Sequence, residues 1–204
     1  MEIIMGISEK HLAIIDAAIL RFKHFGIAKT TMNDIAADLS MSKASLYYYF
    51  PDKNHLCAAA LDHLIDQTFL QIRPELAAMT DCMEAVHIVL SRRIEFVQNY
   101  YNLLEYTVGT QNQVPKEVAS IFQKARSIQM QLMADILHKG IENQQLSNMH
   151  VEEHAHILLF AIEGIRINKL KDNGSLQFPD KEDFNEILRL QETMVRTYFR
   201  GLAV

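Results

Sequence analysis

The chain is short of the residues that break helices. Its 204 residues include only four prolines and seven glycines. Alternating β-branched residues are scarce too, so apolar side chains recur at helical spacing almost throughout. Cysteine is nearly absent. Cys57 and Cys82 lack metal-type spacing, and they read as thiols of a reducing, cytoplasmic compartment. No long hydrophobic run occurs. "ILLFAI" at 157–162 falls far short of the roughly 20 residues a bilayer needs, so no membrane association is expected. The opening "MEIIMGISEK" is too short and too acidic for a signal peptide. No Ser/His/Asp array, glycine-rich phosphate loop or H-E-x-x-H motif is present, so no catalytic residue and no cofactor is predicted.

Basic charge is not in excess either. The formal net charge is −5. Residues 1–56 carry Lys10, Arg21, Lys23, Lys29, Lys43 and Lys53 against Glu2, Glu9, Asp16, Asp34, Asp38 and Asp52, and so balance. The acidity belongs to the rest. Any contact with nucleic acid must come from local placement of basic side chains, not from a strong overall field.

What is present is helix after helix. A first helix is expected over 8–25, with core positions Leu12, Ile15, Ile19 and Phe22 and a stop at Gly26. Thr31 then caps a short helix buried through Ile35 and Leu39, and Thr31-x-x-Asp34 resembles a capping box with Asp in the usual Glu position. After Ser40-Met41, Ser42 caps a third helix, Lys43–Tyr49. A long fourth helix is expected over 53–72, ending before Pro74. Further helices are expected at 81–100, 102–110, 116–143, 151–171 and 181–201, broken at 109–115, "NQQLSNMH" and "DNGSLQFPD".

The third helix is the informative one. Leu46 and Phe50 lie four apart and face a small core, so Lys43, Ala44, Ser45, Tyr47 and Tyr48 project elsewhere. A merely solvated surface would favour Glu and Lys. Small hydroxyls, one cation and tyrosine hydroxyls suit a DNA groove: Ser and Thr reach phosphates or base edges, Tyr donates to phosphate oxygens, and an alanine methyl meets the thymine methyl. Ser42 also sets a capped helix N-terminus where a phosphate can sit. Two helices across a tight break, the second capped, form a helix-turn-helix pattern.

"TTMNDIAADLSMSKASLYYYFPDKNHL" resembles the DNA-binding segment of TetR-family transcriptional regulators, whose pattern is T-x-x-x-I-A-x-x-A/L-G-V-S-K-G-T-L-Y-x-H/Y-F-x-x-K-x-x-L. Matches are Thr31, Ile35, Ala36, Leu39, Ser42, Lys43, Leu46, Tyr47, Tyr49, Phe50, Lys53 and Leu56. "IIDAAILRFKHFGIAKTTM" matches the family's first helix. Two family glycines are replaced, by Ser40 in the turn and Ala44 in the recognition helix. If the turn needs φ > 0, Ser40 is strained by roughly 1 kcal/mol or more.

The resemblance implies an all-α protein. Residues 1–52 form a three-helix helix-turn-helix DNA-binding domain, and 53–204 a helical ligand-binding and dimerisation domain. Carried over by position, Tyr47, Tyr48, Lys53 and Thr31 contact phosphates. Lys43, Ala44, Ser45 and Tyr48 lie nearest base edges, and Tyr49 packs back toward the first helix. The implied partners are a pseudo-palindromic double-stranded operator, a small apolar or amphipathic effector, and a second copy of the chain. A homodimer spaces two recognition helices by one DNA turn, about 34–36 Å. The implied function is a repressor released by its effector; the alternative is a helical lipid- or ligand-binding protein of the same fold without DNA binding.

For the effector pocket the central helices offer Phe96, Tyr100, Tyr101, Leu104, Phe122, Met130, Met133 and Phe160. For the dimer interface the last two helices offer Leu158, Ile162, Ile165, Leu188, Val195 and Tyr198, the alternative being that these stripes pack inside one protomer. Arg92, Arg93, Glu163 and Arg166 interrupt apolar stretches. Glu163 and Arg166 are spaced to pair, and an arginine meeting an anionic ligand is the other reading. His150, His154 and His156 with Glu152 and Glu153 read as a solvated helix start, not a metal site.

Overall fold

A computed structural model describes the backbone of residues 2–104, 114–172 and 179–204. Among these are eight α-helices: α1 (Glu2–Lys29), α2 (Met32–Asp38), α3 (Lys43–Tyr49), α4 (Lys53–Ala78), α5 (Cys82–Asn99), α6 (Lys116–Glu142), α7 (Val151–Asp172) and α8 (Lys181–Arg200). A 3-10 turn, Tyr101–Leu104, follows α5. The helix expected over 102–110 is thus a 3-10 turn where it is described. Its remainder, most of the break at 109–115 and most of "DNGSLQFPD" lie outside the described residues.

Two compact units divide the chain. The first takes in Met1–Gln67 and Asn99–Gln123, the second Thr68–Gln98 and Lys124–Val204, so α4 contributes to both.

In the first unit α1 is helical on both sides of Gly26, whose φ of 77° and ψ of 164° break the spiral. Glycine alone reaches that conformation without a Cβ penalty. Ile14, Ile15, Ala18, Ile19 and Phe22 are buried. Leu12 is not: it is 43% exposed, because the buried stripe runs through Ile14 instead. Asn102 donates from Nδ2 to the Lys23 carbonyl at 2.8 Å and ties the 3-10 turn to α1.

The end of α4 differs from the expectation. The helix continues through Pro74 to Ala78. A proline inside a helix costs about 3 kcal/mol through its missing N–H and its ring clash. Tertiary burial offsets this: Ile72 is buried, and Leu76 and Met79 pack against the second unit's core.

That core joins Val86 and Leu90 of α5, Met133 and Leu137 of α6, Leu158 and Ile162 of α7, and Val195 and Phe199 of α8. Gln191 is the polar intrusion, 2% exposed, and its Nε2 donates to the Ile162 carbonyl at 2.8 Å. α8 starts on a reciprocal cap between Asp180 and Asp183. At the end of α6, Gly140 accepts a close approach: a Cβ there would lie 2.8 Å from Leu146 Cδ1 and 3.2 Å from Cys82 Cβ.

The core corrects part of the proposed dimer set. Leu158 and Val195 are 0% exposed and Ile162 is 1%, which leaves them no surface for a second chain. A helix first buries its one apolar stripe against its own bundle. Ile165, Leu188 and Tyr198 remain half-buried.

Candidate nucleic-acid interface

The break between α2 and α3 is set by local chemistry. Thr31 Oγ1 accepts from the Asp34 N–H at 3.2 Å, and the Asp34 carboxylate accepts from the Thr31 N–H at 2.9 Å and its hydroxyl at 2.8 Å. These bonds hold the Asp34 carboxyl below its ordinary value. α2 ends with the Met41 N–H on the Ala36 carbonyl at 2.8 Å and the Ser40 N–H on the Ala37 carbonyl at 3.0 Å. That pair of bonds is the Schellman termination, which places one residue in the left-handed region. Ser40 occupies that place with φ 51°. Ser42 then caps α3, its Oγ accepting from the Ser45 N–H at 3.1 Å.

On α3, Leu46 is fully buried and Phe50, just past its end, is 4% exposed; both face the small core. Phe50 lies against His11 of α1, ring centroids 4.6 Å apart. Lys43 and Ala44 are exposed and Ser45 is half-buried. Tyr48 is 79% exposed and Tyr47 is 40%, so neither ring serves the core. The Lys43 ammonium stands 5.7 Å from the Tyr47 ring centroid, and Tyr48 meets Tyr49 edge-on at 5.4 Å. Tyr49 is half-buried.

Two predicted contact residues have work inside the protein. Lys53 donates from Nζ to the Ile27 carbonyl at 2.7 Å and the Thr30 carbonyl at 3.0 Å. It neutralises the carbonyl end of α1, the position where a cation is favoured. Two of its three N–H donors are engaged, leaving one for an outside acceptor. The Thr31 hydroxyl is likewise committed to the cap. Sequence reasoning missed a further support. Arg21 forms a two-pronged pair with Asp38 at 2.5 and 2.7 Å, joining α1 to α2. The hydrogen bond to Asp38 raises the Arg21 guanidinium above its ordinary value and lowers Asp38. Asp38 is exposed and Arg21 only half-buried, so the pair adds little stability but fixes the angle between the helices.

The eight predicted effector-pocket residues divide between the units. Tyr100, Tyr101, Leu104 and Phe122 belong to the first; Phe96, Met130, Met133 and Phe160 belong to the second. Met133 is buried in the second unit's core, whereas Phe160 is 58% exposed. None of the eight lines the two main grooves described in the second unit. One of these, of about 580 Å³, is bordered by Leu76, Met79, Cys82, Ile128, Leu132 and Lys139. Burial pushes the Cys82 thiol up, with Asp81 adding to the effect, which keeps it inert. His154 Nδ1 lies 2.7 Å from the Tyr198 hydroxyl, so one ring nitrogen of that histidine is already in use.

Residues 14–60 match the family of bacterial regulatory proteins described as the tetR family. A crystal structure of a transcriptional regulator from Cytophaga hutchinsonii has the same fold, with a TM-score of 0.82 over 94% of this chain and 97% of that one, at 26% identity. The family match lies in the N-terminal segment, and the fold around it is that of a solved transcriptional regulator. A putative transcriptional regulator from Saccharomonospora viridis, crystallised with choline, shares the fold at a TM-score of 0.72 and 19% identity over 93% of this chain and 96% of that one. Among curated proteins, an uncharacterised HTH-type transcriptional regulator of Bacillus subtilis, YuxN, is 27% identical over 77% of this chain. The Escherichia coli HTH-type transcriptional regulator RutR is 40% identical over 61 residues, 30% of this chain. The matches span 52% of the first and 29% of the second, so the chain spans about half the length, or less, of these curated relatives. The matched segment 14–60 holds every candidate DNA-contact residue from Thr31 to Lys53. Among the described residues no helix is long and apolar enough to cross a membrane.

Proposed function

We propose that the chain is a DNA-binding transcriptional regulator that acts as a homodimer and responds to a small molecule bound in its second unit. One observation carries this reading: α3 turns Lys43, Ala44, Tyr47 and Tyr48 outward on a helix capped at Ser42. Two exposed tyrosines on seven residues are an apolar liability unless a partner covers them. A DNA groove covers them and uses their hydroxyls on phosphates, with Lys43 as the charge. Lys53 and Thr31 contribute mainly by fixing the helices, and Lys53 has one N–H left for a phosphate. Repression relieved by the effector is the proposed sense of control, and a compartment that holds DNA, the cytoplasm, is the proposed location.

For the dimer, the outward row of α7 replaces the buried stripe. Ile157 is 44% exposed, and Ala161 and Gly164 follow it at i+4 and i+7. A Cβ on Gly164 would meet nothing within 4 Å, so a second helix can approach closely there. Effector coupling requires different affinities for two states of the dimer.

The test is selection of genomic fragments by the purified protein. Enrichment of a short inverted repeat supports the proposal, and loss of enrichment in Tyr47→Phe with Tyr48→Phe ties it to α3. Fragments recovered no better than from beads alone overturn it.

A further inference from the structure

Inside the second unit, two arginines bond one carboxylate, and a third arginine acts on one of them. Arg93 of α5 and Arg166 of α7 each donate to Glu163, one to Oε2 and the other to Oε1. Their side chains are only 15% and 8% exposed, against 34% for Glu163. Arg126 of α6 sets its guanidinium 4.7 Å from the ring centroid of Phe160, three residues before Glu163 on α7. Its charge acts on Arg93 in the same sense as that of Arg166.

The charges do not balance. Glu163 is the one carboxylate bonded to Arg93 or Arg166 among the described residues. A buried ion pair is tolerated when its remaining donors are met. Here they are not: the Arg166 Nε–H is buried and meets no acceptor among the described residues. A guanidinium offers five donors in a fixed fork shaped for a carboxylate. Burial pulls Arg93 below its ordinary value further than Glu163 restores it. Glu163 stays below its own ordinary value despite burial, because both arginines hold it charged. A cluster built only for stability would match its charges. Among the described residues this one carries a surplus of positive charge and an unmet donor.

We infer that Arg93, Arg126 and Arg166 form an anion-binding site for a carboxylate-bearing effector, with Glu163 as the internal competitor that holds the site when empty. The inference rests on the proposal that the second unit binds an effector, and it supplies that effector's chemical class. An incoming carboxylate takes the unmet Arg166 donor and shares the arginine forks, while Glu163, more exposed than Arg93 and Arg166, turns toward solvent. Repositioning Glu163 shifts α7 relative to α5, which couples occupancy to the outward row of α7.

The test uses the full chain without DNA, so that failure of the regulator reading and failure of this one separate. The probes are acetate, the smallest carboxylate, and acetamide as its uncharged counterpart, titrated at constant ionic strength with the melting temperature as readout. Acetate is expected to raise the melting temperature of the wild-type protein and acetamide to leave it unchanged. Glu163→Gln removes the competitor, so its apparent Kd for acetate should fall at least about fivefold. Arg126→Met, on the exposed rim and safe for folding, should raise it at least about threefold. A bridge that serves only structure predicts a different pattern: Glu163→Gln responds to acetate and acetamide alike. Equal responses to the two probes in the wild-type protein and in Arg126→Met overturn the site even if Glu163→Gln does not fold. Operator binding that persists beside such a result would leave the regulator reading standing.

Discussion

Ser40 holds the turn of the helix-turn-helix in a conformation that suits glycine. Its φ of 51° lies in the left-handed region, and it is fixed there by the two hydrogen bonds that terminate α2. A residue with a Cβ pays roughly 1–2 kcal/mol for that region. The side chain is exposed, and only backbone groups of Ser40 take part in the bonds that end α2. Ser40→Gly removes the strain, while the extra freedom of glycine in the unfolded chain returns about 0.5–1 kcal/mol of it. The net expectation is a stabilisation of about 0.5–1 kcal/mol. Ser40→Ala keeps the Cβ and the strain, and should be neutral or slightly destabilising. Urea unfolding followed by circular dichroism reads the difference as a higher midpoint at unchanged slope, and a thermal scan as about 2–4 °C per kcal/mol. If Ser40→Gly were no more stable than Ser40→Ala, the left-handed strain at this turn would be refuted.

Lys53→Met should lower stability by about 1–3 kcal/mol, because the carbonyls of Ile27 and Thr30 lose a charged donor; a urea midpoint equal to wild type would contradict its capping role. The acid limb of stability should carry a contribution from Glu163. Its folded-state pKa lies below the ordinary 4.5, so that contribution is fully present above that pH and is lost as pH falls through the folded value. Glu163→Gln should therefore differ from wild type near neutrality and converge with it in acid, whereas parallel pH profiles would contradict the pairing. Ile157→Glu should shift the protein from dimer to monomer in sedimentation with unchanged helicity, while Leu158→Ala should unfold the protomer more easily by about 2–5 kcal/mol.

What was legible in the sequence is what local chemistry decides. Thr31 with Asp34, and Ser42, are caps formed within three residues, and each stands where its spacing placed it. Helices 81–100, 116–143, 151–171 and 181–201 agree with α5 to α8 within a residue at each end. The misses are long-range. Pro74 reads as a stop, yet packing of Leu76 and Met79 carries α4 past it. Lys53 serves carbonyls more than 20 residues earlier in the chain, which no pattern around it announces. An apolar stripe at helical spacing does not say whether its cover is the same chain or another, so Leu158, Ile162 and Val195 suit a dimer interface or the protomer's own core until their burial is seen. The Arg93–Glu163–Arg166 cluster shows only as charges in apolar stretches; its imbalance needs α5 and α7 together in space.

The most direct test of DNA binding through α3 is a fluorescence-anisotropy titration with DNA from the gene's own upstream region, at two salt concentrations, using wild-type protein and Tyr47→Phe. Saturable binding by two chains per site, weaker at higher salt and weaker again in Tyr47→Phe, is the predicted result. Binding equal to that of scrambled DNA, or a Tyr47→Phe protein with unchanged affinity and salt slope, would contradict it.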